Sequence, residues 1–217
     1  MRPLRLLLAT IALILPVSTQ ALTLQDLNAG ASFRSTGGEL DFDFAPGSIS
    51  LAGAFSADLS QYAVLPTASG FIVSGPLAAL GPAAFGGLVL SYTVSAGPGL
   101  ALASANGQAS GVAFGPGAAA IATLGLSNGA GFGIVLTAAG GSGSSASAAF
   151  TPVQSLNALA GIQLFALTPG DVASFGAVQH GFGWLALPEP AQGVLLGAGL
   201  LGLALFGSRR NGGPRAA

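Results

Sequence analysis

The chain has 217 residues, among them seven acids, six arginines, one histidine, no lysine and no cysteine. The missing cysteine excludes disulfides, thiolate nucleophiles and thiolate metal sites, and a single histidine excludes histidine-rich metal centres. Between Leu22 and Leu187, Arg34 stands alone against six acids, a formal charge of −5 that leaves no basic surface to neutralise nucleic-acid phosphates.

The N-terminus reads as a signal peptide over residues 1–21. Arg2 and Arg5 form a basic start, and Leu6 to Val17 form an apolar core with Pro16 near its end. Ser18-Thr19-Gln20-Ala21 then offers small residues where a signal peptidase cuts, with Ala21 at the cut. The apolar core is short for a membrane span. An uncleaved N-terminal anchor is the competing reading.

Residues 22–181 are expected to form one all-β domain, a β-sandwich. In TGGELDFDF, Leu40, Phe42 and Phe44 alternate with Glu39, Asp41 and Asp43, which puts apolar and acidic sets on opposite faces of a strand. Further strands are expected at 48–55, 62–66, 70–74, 87–95, 100–106, 109–114, 118–126, 131–137, 147–150 and 155–166. Turn signals separate them: Ser74-Gly75-Pro76, Ala96-Gly97-Pro98-Gly99, Asn106-Gly107, Gly115-Pro116-Gly117 and Asn128-Gly129. Short strands at this spacing indicate a sandwich. No segment here has a helical period, and no repeat of fixed period occurs. Gly140 to Ala149 is low-complexity and reads as a long surface loop. Residues 182–187 read as a spacer, with Trp184 either at a membrane interface or packed at the end of the domain.

Few residues here suggest chemistry. A Ser-His-Asp site would need His180 with Asp171, yet no nucleophile-elbow pattern occurs, and His180 is expected at the surface. Glu39, Asp41 and Asp43 on one strand face could contribute to a Ca²⁺ site only with help from other loops. The competing reading is a solvated acidic face that discourages edge pairing. No catalytic, metal or cofactor residue is assigned. Gly197-Ala198-Gly199-Leu200-Leu201-Gly202 has the GxGxxG spacing, but it sits in an apolar tail with no preceding strand. Gly141 to Ala146 fits a looser form within a Ser/Gly run. Both are rejected as dinucleotide sites.

Residues 188–217 form a three-part tail. Pro188 and Pro190 hold Glu189 in an extended, exposed tripeptide. A helix over 191–208 would be about 27 Å long at about 1.5 Å per residue. That is short but sufficient for a bilayer core of about 30 Å. Arg209 and Arg210 would stop transfer and remain in the cytoplasm. Gly193 and Gly197 form a GxxxG pair, a surface on which membrane helices pack closely.

This tail resembles the PEP-CTERM sorting domain of Gram-negative bacteria. The matching residues are Pro188-Glu189-Pro190, the helix bearing Leu195, Leu196, Gly199, Leu200, Leu201, Gly202 and Leu203, and the Arg209-Arg210 pair. Residues 211–217 extend slightly beyond the family's usual end. The resemblance implies processing near the tripeptide by exosortase, a multi-spanning, cysteine transpeptidase-like membrane enzyme. It implies an inner-membrane-anchored precursor with a cytoplasmic C-terminus, delivered afterwards to the cell surface or extracellular matrix, often alongside exopolysaccharide or biofilm. The expected whole is therefore an N-terminal signal helix, a β-sandwich passenger and one C-terminal transmembrane helix. Its expected role is that of a non-enzymatic matrix protein without a cofactor, with signal peptidase and exosortase as processing partners. A carbohydrate-binding module using Tyr62, Tyr92 or Trp184 is the alternative. A secreted hydrolase comes third.

Overall fold

The computed structural model describes residues 22–137, 143–187, 195–201 and 203. Two antiparallel sheets account for most of them. The first sheet contains β1 (Leu22–Thr23), and the second contains β2 (Ser32–Arg34), β3 (Leu40–Asp43) and β4 (Ile49–Gly53). The chain then places β5 (Ala63–Pro66) and β6 (Gly70–Leu80) in the first sheet and β7 (Ala84–Ala96) in the second. β8 (Leu100–Phe114) returns to the first sheet. β9 (Ala118–Leu126) and β10 (Gly131–Thr137) belong to the second. β11 (Gly143–Val153) lies in the first, β12 (Ser155–Ala166) in the second, and β13 (Val172–Ala186) in the first. The resulting orders are β1-β5-β6-β13-β8-β11 and β10-β9-β12-β7-β3-β2, with β4 also paired to β7. The expected β-sandwich is thus present.

The core lies between the sheets. β7 contributes Leu88, Leu90, Tyr92 and Val94, and β12 contributes Ala158, Ala160, Ile162 and Leu164. Facing them are Phe71, Val73, Leu77, Phe175, Val178 and Phe182 from β6 and β13. Beyond Leu102, the inward positions of β8 carry only alanine and glycine, from Ala105 through Gly107 to Ala113. A Cβ at Gly107 would strike the ring of Phe132 from β10. Small residues on one inner face thus make room for large ones from its neighbours, which keeps the interior close-packed. Alanine and glycine are poor strand formers by propensity; here packing overrides that preference.

Several boundaries differ from the sequence expectation. Asn106-Gly107 is not a turn but the middle of β8, held by ladders to β13 and β11 on its two sides. Its glycine serves close approach by Phe132 rather than a positive φ. Ser74-Gly75-Pro76 likewise lies within β6, opposite a β-bulge between Phe175 and Ala177 of β13. That irregularity accommodates a proline inside a sheet. The expected turns at 96–99 and 128–129 do form, with Gly99 at φ 74° and Gly129 at φ 83°.

The expected loop over 140–149 is largely strand, because Gly143 to Ala149 pair continuously with β8. The expected spacer at 182–187 is also strand. β13 runs to Ala186, and Phe182 is fully buried. The same bulge hid β13 from the sequence. Ala173 and Phe175 point inward before it, and Val178, His180 and Phe182 after it, so the alternation changes phase midway. One short helix was also not anticipated, α1 (Leu24–Asn28). Thr23 Oγ1 accepts from the Asp26 N–H at 3.2 Å, and Asp26 Oδ2 accepts from the Thr23 N–H at 2.9 Å. This capping box closes a helix too short to display a period.

Candidate functional site

The residues of the sorting tail are largely beyond the described structure. Ala21, Pro188, Glu189, Pro190, Gly193, Arg209 and Arg210 lie outside the described residues. Residues 195–201 and 203 are helical, and Leu195, Leu196, Leu200, Leu201 and Leu203 are exposed. Gly197 has open space around it. Among the described residues no helix is long and apolar enough to cross a membrane.

The acidic strand does not assemble an ion site. Asp41 lies opposite Arg34 in register, and the guanidinium grips it through Nε–Oδ1 at 2.6 Å and Nη2–Oδ2 at 3.0 Å. This hydrogen bond, with the adjacent negative charge, raises the Arg34 pKa. Asp43 lies between Ser32 and Thr93. Glu39 precedes β3, in the turn between Ser35 and Leu40. Among the described residues no group of three or more His, Cys, Asp or Glu side chains could hold a metal ion.

His180 and Asp171 are not partners. His180 pairs with Gly107 of β8, whereas Val172, next to Asp171, pairs with Phe114, seven steps or roughly 23 Å of extended chain away. Asp171 serves the β12–β13 loop instead. Its Oδ2 accepts from the backbone N–H of Leu167 at 3.0 Å and of Thr168 at 2.7 Å. Burial raises its pKa, but the hydrogen bonds from Thr168, Gly117 and Leu167 outweigh that and leave it below the ordinary value. His180 is not at the surface. It is 1% exposed, its ring lies 5.4 Å from Phe71, and neither ring nitrogen has a hydrogen-bond partner among the described residues. Burial pushes its pKa down to about 4, so the ring is neutral near pH 7. The phase change in β13 turned it inward.

The aromatic side chains weighed for carbohydrate stacking are mostly unavailable. Tyr62 is fully buried and donates to the Ser56 carbonyl at 3.1 Å. Tyr92 is 3% exposed, stacked 5.1 Å from Phe44, and burial drives its pKa upward. Trp184 is partly exposed, as are Phe85 and its neighbour Phe165 on the second sheet.

A site not anticipated from the sequence lies on the outer face of the first sheet. Gln179 of β13, Gln108 of β8 and Ser145 of β11 stand side by side in register. The next row is Gly70, Gly181, Asn106 and Ser147. Beyond it, Gly183 faces Ser104. A side chain at Gly181 would strike the Asn106 amide, and one at Gly183 would strike the Ser104 hydroxyl. The glycines therefore let Asn106 and Ser104 lie low across β13. Asn106, Gln108, Ser145, Ser147 and Gln179 border a shallow depression of about 380 Å³. No strand of this sheet contains Asp, Glu, Lys or Arg. The sequence signal was the alternation Ser104, Asn106, Gln108, Ser110 against alanine and glycine, which emerges only when β8 is read as one strand.

No known family matches the chain, and neither does any curated protein. Among solved structures it is similar to TmCBM61, whose structure was determined in complex with beta-1,4-galactotriose. The identity is 13% and the TM-score 0.34, over 64% of this chain and 88% of that one. A similarity at this level carries no argument about the ligand or role of this chain.

Proposed function

We propose that the protein is a non-enzymatic component of an extracellular polysaccharide matrix, exported through its signal peptide and sorted by an exosortase-type enzyme. The observation that carries this reading is the order Pro188-Glu189-Pro190, apolar segment, Arg209-Arg210. A rigid extended tripeptide just outside a membrane suits an enzyme that binds its substrate as a strand. The apolar segment and arginines would hold the chain in the inner membrane until it is cut. The passenger supports a role exerted through its surface. Its carboxylates are dispersed or engaged with backbone and Arg34, and its histidine is sealed in the core. Replacing Pro188, Glu189 and Pro190 with alanine is expected to leave the full-length precursor in the membrane fraction and to abolish its appearance outside the cell. Wild-type distribution of that variant would count against the reading.

Carbohydrate binding is the second reading. The uncharged amide face favours it, whereas buried Tyr62 and Tyr92 provide no stacking platform.

A further inference from the structure

We infer that the amide face formed by Asn106, Gln108 and Gln179 is a binding site for a neutral, hydroxyl-rich glycan. The inference rests on the matrix reading for its setting but on the geometry of the first sheet for its content. Each of the three amides offers two donors and a carbonyl acceptor. None of these side chains makes a hydrogen bond to another described residue, although Asn106 and Gln179 are half-buried. On the opposite sheet, by contrast, several polar side chains pair with one another or with backbone: Asn157 accepts from Thr93, Ser95 donates to Ser155, and Asn128 accepts from the Ala130 N–H. The amide face thus keeps its hydrogen-bonding capacity for something outside the fold.

The ligand class follows from charge and shape. Without Asp, Glu, Lys or Arg in any strand of this sheet, the face has nothing with which to select an ion. Amides and hydroxyls that both donate and accept match sugar hydroxyls, which do the same. The face extends about 14 Å from Ser104 to Gln108 along β8, and about 10 Å across β13, β8 and β11. It is low where Gly70, Gly181 and Gly183 lack side chains, and it opens at the β11 edge, where among the described residues β11 pairs only with β8. A polymer can therefore lie across it without its ends being enclosed. Recognition by hydrogen bonds on an open face implies weak affinity per site, strengthened when many copies sit in one matrix.

The test uses the full chain in a sugar-free zwitterionic detergent. Its migration is measured in native gels containing dextran, cellulose-derived hydroxyethyl cellulose, or anionic alginate. Retardation by at least one neutral polymer is expected, together with about a tenfold loss of apparent affinity in Gln108→Ala/Gln179→Ala, as befits removal of two amide groups. Both side chains face outward, so the fold is retained, and an unchanged unfolding curve verifies this. No retardation by either neutral polymer would overturn the inference. So would retardation only by alginate, unchanged binding in the double variant, or loss in Phe85→Ala instead, which would place the contact on the opposite sheet. Sorting is scored separately by the location of the Pro188–Pro190 variant, so either idea can fail without the other.

Discussion

Replacing Phe71 with alanine is expected to lower the unfolding free energy by about 3–5 kcal/mol, the usual cost of emptying a buried phenylalanine site. Phe71 is the largest inward residue of β6 and is fully buried. Its ring meets Phe42 at 5.4 Å, Phe33 at 5.6 Å and Tyr92 at 5.3 Å, all near-perpendicular. These three belong to the opposite sheet, so Phe71 joins the two layers at their aromatic end. Backbone ladders tie strands within each sheet, and the space between the sheets is filled by side chains such as Phe71. A loss of this size is a large share of the roughly 5–15 kcal/mol by which domains are stable. Urea unfolding of the variant should show an earlier midpoint with little change in slope. A loss of unfolding free energy below about 1 kcal/mol would mean that the aromatic cluster does not join the sheets.

The second large effect is acid sensitivity at His180. An unfolded chain takes up a proton at this imidazole below about pH 6.5, whereas the folded chain resists until about pH 4. Between those values the unfolded state holds more protons, so stability falls as the pH drops through the window. The total loss attributable to this group is about 3 kcal/mol. Asp171 acts at lower pH. Its folded pKa lies below 3.8, so its contribution is present above that value and disappears as the pH falls further. His180→Leu separates the two. Leucine fills a similar volume and removes two buried nitrogens that lack partners. The variant should be more stable than wild type at pH 4.5, and its stability should be nearly flat between pH 6.5 and 4. An acid slope equal to that of wild type would show that other groups account for the loss.

How much of this was readable from sequence differs between elements for identifiable reasons. β9, β10 and β12 were legible to the residue because their inward and outward positions alternate without a bulge, and Asn128-Gly129 marks the turn between the first two. β13 was missed because a bulge near Gly176 shifts its inward set from odd to even positions. β8 was divided in two because Asn-Gly is a strong hairpin signal, and nothing in the local sequence reveals that Phe132, from another strand, needs the space at Gly107. Those two errors together concealed the amide face, which is assembled from β8, β11 and β13. His180 was misplaced for the same reason as β13. The tail was the opposite case. Pro188-Glu189-Pro190, the apolar run and the arginine pair are contiguous, so their order is visible without any fold.

Under the proposed function, this chain is cut at both ends on its way to the matrix. Mass spectrometry of the two termini of the mature protein, from a native host with and without its exosortase, tests it most directly. The expected result is a chain beginning at Leu22 and ending near Pro188–Pro190 only when exosortase is present. An intact C-terminus through Ala217 in both strains would contradict the claim and leave the tail as a simple membrane anchor.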